Sequence, residues 1–232
     1  MIGKKKGLIK NKEELYKIVG KPAYEYSGLL SKAPVLSFTD SAGKDMFPIL
    51  ATRPSSVSYE GYFFPDTYRV YKDSELSDVL KKIFSNLESK ITKEMRLEIN
   101  KQGKNVFQIL NMAALIEREA NTEYDMQMIS DIFWRRNKQK WALQSCASVN
   151  YVTLKNTPAI STEDQKIDSP YNTYKYSGLP HGPIGNPSIT AIKAAIYPKT
   201  NNYWYFMTGT DGKMRYAVTL DQHNENVFNY LK

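Results

Sequence analysis

With 232 residues, 41% of them apolar and 12% aromatic, the chain has room for one large or two small domains and enough apolar material to exclude global disorder. Its net charge of +8 suits a polyanionic partner such as an anionic cell wall or lipid surface. The lysines are scattered apart from Lys4-Lys5-Lys6, however, and no zinc-finger or aromatic–basic RNA-binding motif occurs, so nucleic acid is not expected as a partner. The single cysteine, Cys146, excludes an intramolecular disulfide and a cysteine-based zinc site. His181 and His223 stand in no metal-ligating spacing, so neither metal nor other cofactor is expected.

Taken in chain order, residues 1–58 are weakly patterned and read as a small N-terminal subdomain or trimmed remnant, with a short helix over 11–19 and a polar stretch over 37–58. Residues 59–69 are dense in aromatics and close on a Pro-Asp turn. Ser74 is positioned to cap a helix to about residue 90, with Leu76, Val79, Leu80, Ile83 and Leu87 at helical spacing. A polar helix follows near 92–102, then one from Asn105, as N-cap, to Ala120, then one over about 123–138 with Met126, Ile129, Ile132 and Phe133 facing inward.

Beyond Trp141 the pattern changes to turns and short extended pieces. Residues 171–174 (Tyr-Asn-Thr-Tyr) and 178–187 (rich in Gly, Pro and Asn) read as loops that could wall a groove. Ser188 opens a short helix, residues 203–207 and 214–218 form a hairpin, and a helix over 220–231 closes the chain. Helices first and strands later predict an α+β fold: a helical half followed by a loop and β-hairpin half. No run of about 18 apolar residues and no signal peptide occurs, so this chain carries no membrane anchor.

The stretch with most chemical content is Asn111-Met112-Ala113-Ala114-Leu115-Ile116-Glu117-Arg118-Glu119-Ala120, an apolar helix that ends in two carboxylates. A carboxyl group held against apolar surface keeps its proton to higher pH, which is what a general acid near neutrality requires. Two residues apart on a helix is about 200° of rotation, so the two cannot share a pocket. A helical wheel sets Glu117 in the stripe of Ile109, Leu110, Ala113 and Ile116 and makes it the more buried of the two. The same pattern also fits an ordinary solvated helix end. Asn172 is suited to hydrogen-bond an amide such as an N-acetyl group. An ordinary glycosidase would need a second carboxylate; Glu123, Asp125, Asp164 and Asp168 are available, and no motif fixes any of them.

Six ordered segments resemble the endolytic murein transglycosylase family, the YceG-like proteins. They are Glu60-Gly61-Tyr62-Phe63-Phe64-Pro65-Asp66-Thr67-Tyr68; Ala113-Ala114-Leu115-Ile116-Glu117-Arg118-Glu119; Leu143-Gln144-Ser145; Tyr171-Asn172-Thr173-Tyr174; Gly178-Leu179-Pro180; and Tyr205-Phe206 with His223-Asn224. The resemblance covers residues 59–232, which it implies are a YceG-like catalytic domain. It implies cleavage of the β-1,4 bond between N-acetylmuramic acid and N-acetylglucosamine within peptidoglycan strands. The product carries a 1,6-anhydro-muramic end, and one glutamate acts as acid and then as base.

In the family pattern that glutamate maps to Glu119, against the wheel. Glu117 stays as a supporting residue or alternative acid. Gln144, Ser145, Tyr171, Asn172, Tyr174 and Leu179 are the expected substrate-binding residues. Two departures from the pattern stand out: Cys146-Ala147 where many members have Asp-Pro, and His181 where many have a second proline. The implied partners are glycan strands and the cell-elongation machinery, and the implied location is the extracytoplasmic face of the bacterial membrane, as a soluble fragment or a member without its anchor. A non-catalytic peptidoglycan-binding module and a two-carboxylate glycoside hydrolase, using Asp125 or Asp168, are the competing readings.

Overall fold

The computed structural model describes residues 11–22, 24, 36–157 and 159–231; the basic run Lys4-Lys5-Lys6 and much of the N-terminal region lie outside the described residues. The described residues form α1 (Lys12–Val19), a 3-10 turn at Pro48–Thr52, α2 (Leu76–Lys90), α3 (Lys93–Lys101), α4 (Val106–Glu119), α5 (Glu123–Lys138), α6 (Cys146–Thr153), α7 (Thr162–Gln165), α8 (Ile189–Ile196), β1 (Tyr205–Thr208), β2 (Met214–Ala217) and α9 (Leu220–Tyr230). This is the α+β arrangement: mostly helical, with an antiparallel hairpin pairing Tyr205 with Ala217 and Thr208 with Met214.

Local chemistry sets most helix starts. Asn105 accepts from the Gln108 amide while the Gln108 side chain accepts from the Asn105 amide, which satisfies two orphan donors at once. Thr92, Thr122, Ser188 and Thr219 each accept from the amide three residues on at the starts of α3, α5, α8 and α9, and at Thr219 the Gln222 side chain reciprocates. One start differs from expectation. Glu75, not Ser74, occupies the cap of α2, because the Asp78 carboxylate reaches back to accept from the Glu75 amide.

The core is built round α4. Every residue from Ile109 to Ile116 is buried, so the helix is enclosed on all sides rather than along one stripe. Its neighbours are α5, α6, α8 and the Pro48–Thr52 turn. Helix α8 presents Ala191, Ala194 and Ala195, all fully buried, and such small residues allow close helix approach. A second focus is Phe84 of α2, whose ring lies 5.7–6.0 Å from those of Phe38, Phe47, Tyr59 and Phe63. Val19, Phe47 and Ile49 belong to this same core.

Segments far apart in sequence are tied across the core. Gly61 has φ +91°, and a Cβ there would fall 2.5 Å from Pro183 Cγ, so only glycine fits. Asn186 Oδ1 accepts from the amides of Gly61 and Phe63, at 2.8 and 3.1 Å. Asn111, buried in α4, donates to the Pro180 carbonyl at 2.6 Å. The 178–187 loop is thereby clamped to both the 59–68 segment and the central helix.

Candidate active site

Glu119 is the last residue of α4. Ala120 leaves the helix in an extended conformation, which frees the Glu119 side chain to turn towards the start of α6. There the chain makes a constrained turn. Gln144 adopts φ +55°, a conformation unusual for a side-chain-bearing residue. Two bonds to Thr173 hold it: the Gln144 amide donates to the Thr173 carbonyl and the Ser145 amide to Thr173 Oγ1, each at 3.0 Å. Ser148 Oγ completes the frame at 2.9 Å from Thr173 Oγ1 and 2.9 Å from the Ser145 carbonyl.

Ser145 occupies the N-cap of α6, where a serine hydroxyl ordinarily accepts from a backbone amide. No such bond forms here; the hydroxyl donates instead to Glu119 Oε1. Forgoing a cap costs about 1 kcal/mol, which makes a site arrangement a better account of this geometry than helix stability.

Burial pushes the Glu119 carboxyl above the ordinary glutamate range; the Ser145 bond and the charge of Arg136 act in the opposite direction and are outweighed. Arg136 is itself 5% exposed. Its Nη1 donates to the Leu143 carbonyl at 2.7 Å, and its Nε and Nη2 to the Trp204 carbonyl. Held this way it acts as a fixed cation within reach of Glu119, Tyr174, Tyr205 and His223. Tyr174 stands on the same side, its hydroxyl 3.0 Å from Cys146 Sγ, and burial raises its pKa strongly. Glu119 opens into a cleft of about 360 Å³ lined by Arg118, Cys146, Ala147, Asn150, Lys155, Asn156 and Thr157. Glu119 is the only acid among the lining residues. No group of three or more side chains suited to holding a metal occurs among the described residues.

The two glutamates are both partly exposed, and they have different partners in the fold. Glu117 is half-buried and accepts from the backbone amide and hydroxyl of Ser188, at 3.1 and 2.6 Å, at the N-terminus of α8. A carboxylate there satisfies an orphan donor and complements the helix dipole. Because α4 is enclosed all round from Ile109 to Ile116, helical periodicity does not separate its two terminal glutamates.

The other expected site residues divide. Ser145 and Tyr174 lie beside Glu119, and Gln144 is exposed next to Ser145. Tyr171, 4% exposed, packs its ring on Tyr151 and His181. Leu179 packs half-buried against the core. Asn172, expected to contact an N-acetyl group, faces inward. It is 1% exposed and all four of its hydrogen-bonding positions are used internally. Its Nδ2 donates to the Gln165 and Ile167 carbonyls, and its Oδ1 accepts from the Tyr174 and Lys175 amides. Asn172 therefore shapes the loop that presents Tyr174 and Thr173.

Asp125 and Asp168, the candidate second carboxylates, have other partners. Asp125 accepts from Tyr216 and Thr122, each at 2.6 Å, and Asp168 pairs with Lys175 at 2.9 Å.

Sequence reasoning missed Arg136, Thr173, Ser148 and Glu60. Arg136 carried a signal: it lies three, four and seven residues after Phe133, Ile132 and Ile129, inside the apolar stripe of α5, where an unpaired arginine would not be tolerated. Burial raises the Glu60 carboxyl as well; it accepts from the Tyr151 hydroxyl and senses the charge of Arg118.

Fold and site thus define an α+β protein in which one carboxyl acid, raised by burial, lines a polar cleft. The chain belongs to the YceG-like family, whose profile matches residues 5–229 and so begins well before the motifs that start at Glu60. An endolytic murein transglycosylase of Bacillus subtilis (strain 168) is 34% identical over 195 residues, covering 84% of this chain and 53% of that protein. One from Streptococcus pneumoniae serotype 2 is 30% identical over 190 residues, covering 78% and 34%. The crystal structure of a YceG-like protein from Listeria monocytogenes superposes with a TM-score of 0.65 at 31% identity, over 76% of this chain and 57% of that one. The chain therefore spans about half the length of the Bacillus relative and a third of the pneumococcal one.

Proposed function

We propose that the chain is a peptidoglycan lytic transglycosylase in which Glu119 is both acid and base. The observation that carries this reading is Glu119 itself: a carboxyl group raised by burial, oriented by Ser145, and the sole acid lining its cleft. Its protonated form donates to the glycosidic oxygen as the bond from muramic C1 breaks. The resulting carboxylate then accepts the proton of the muramic C6 hydroxyl as that oxygen bonds to C1. The proton is returned, no water is consumed, and the product is a 1,6-anhydro end. The substrate's own N-acetyl group can assist at C1. Such a cycle needs one carboxyl group with a pKa near the working pH, and no second carboxylate.

The relatives' names support the substrate class. Action at the extracytoplasmic face follows from where peptidoglycan lies, and cooperation with the cell-elongation machinery is part of the same proposal. A two-carboxylate hydrolase is less favoured because Asp125 and Asp168 are engaged elsewhere. A purely binding module is less favoured because a carboxyl enclosed at an energetic penalty, with a serine diverted from its cap, has no evident use in binding alone.

The test is mass spectrometry of the muropeptides released from purified peptidoglycan by the wild type, Glu117→Gln and Glu119→Gln. Anhydro ends lost only in Glu119→Gln are expected. Loss only in Glu117→Gln would transfer the role to that residue. Reducing ends would mean hydrolysis, and no release by folded wild-type protein would refute the catalytic reading of this chain.

A further inference from the structure

Besides Glu119, the cleft is lined by two cations, Arg118 and Lys155. Asp164 matches the charge of Lys155, which leaves Arg118 as the principal cation of the cleft. The remaining lining residues are uncharged, among them Asn150, Asn156 and Thr157. Lys155 is fixed in place by Asp164, at 2.7 and 2.9 Å to the two carboxylate oxygens. Arg118 is exposed and directly precedes Glu119 in the chain. Glu60 senses its charge, but the Glu60 carboxylate is bonded to the Tyr151 hydroxyl rather than to the guanidinium. Arg118 lines the cleft, and a guanidinium's planar donor fork suits a carboxylate.

Resting on the transglycosylase reading, we infer that Arg118, with Lys155 as a second cation, recognises a carboxylate carried on the C3 substituent of the muramic residue whose glycosidic bond meets Glu119. That carboxylate belongs either to the stem peptide or, on peptide-free strands, to the lactyl group itself. Arg118 would then make the enzyme selective for muramic acid over neutral amino sugars, and it would act on substrate binding rather than on the proton transfers of Glu119.

The test measures binding in the inactive Glu119→Gln protein, so that its result does not depend on turnover. Three ligands are compared by co-sedimentation or calorimetry: peptide-bearing strands, amidase-stripped strands, and strands whose carboxylates have been converted to methylamides. About tenfold tighter binding to carboxylate-bearing than to methylamidated strands is expected, in the range of a charge-assisted hydrogen-bonded pair. Adding Arg118→Gln should collapse that ratio, while Arg118→Lys should keep part of it. Preference for peptide-bearing strands alone places the carboxylate in the peptide, preference for stripped strands alone places it on the lactyl group, and equal preference means that either carboxylate is accepted; all three sustain the inference.

Lys101→Gln serves as a control for general attraction, since Lys101 is 80% exposed on α3 and does not line the cleft. An equal loss in Lys101→Gln and Arg118→Gln, or no preference in the parent protein, would overturn the inference. Wild-type protein that releases no anhydro ends, while the Arg118-dependent preference persists, would instead overturn the transglycosylase reading.

Discussion

Replacing Glu119 by glutamine should make the protein more stable while abolishing its activity, and the stabilisation should depend on pH. Burial raises the folded-state pKa of Glu119 above its unfolded value. Below the ordinary glutamate range both states are protonated and the group imposes no penalty. As pH rises through the folded pKa, the folded state must carry an enclosed charge that the unfolded state exposes to water, and stability falls. Glutamine has the same shape, still accepts from Ser145, and never ionises. Changes that relieve a functional site of this kind typically yield about 1 kcal/mol, or roughly 2–4 °C in a chain of this size. Thermal unfolding of the wild type and Glu119→Gln at pH 4 and pH 8 measures the effect. Coincident melting temperatures at pH 4, with Glu119→Gln higher at pH 8, are expected, together with a loss of activity of about 10²–10⁴-fold. A Glu119→Gln protein less stable than wild type at pH 8 would refute the argument that Glu119 is held against its own charge.

Three further outcomes follow from the geometry. Ser145→Ala removes a bond that lowers the Glu119 pKa, so the alkaline limb of the pH–rate profile should move upward, with stability reduced by only about 1 kcal/mol. Asn172→Ala forfeits four internal hydrogen bonds and should cost ~3 kcal/mol, read as a melting temperature about 6–12 °C lower; an unchanged melting temperature with a raised KM would instead restore Asn172 to substrate binding. Gly61→Ala combines a left-handed φ with a contact of 2.5 Å to Pro183 Cγ and should destabilise by about 3 kcal/mol or more, measured by denaturant titration.

Much of the helical scaffold was legible because its determinants are local. The pairing of Asn105 with Gln108, and the caps at Thr92, Thr122 and Ser188, act within three or four residues, and the spacing of apolar residues in α5 follows the helical period. The slip from Ser74 to Glu75 at α2 is a one-residue competition between caps that sequence alone does not resolve. The candidate site was legible in part. Ser145 and Tyr174 fell within motifs and stand beside Glu119. Asn172 fell within a motif too, yet the amide that suits an N-acetyl group equally suits a turn, and only its four internal bonds decide between them.

By itself, then, the sequence determined most helix starts before Trp141, that one acid-bearing helix dominates the chain, and which family's motif order it follows; α6 and α7 lie where it read only turns and short extended pieces. Tertiary structure decided which partners each glutamate meets. Glu117 meets Ser188, 71 residues on, whereas Glu119 meets Ser145 and the field of Arg136. The physical reason is that a helix buried on every side has no solvent-facing phase for periodicity to report, so the surroundings of its last turn are set by elements that reach it only when the chain has folded.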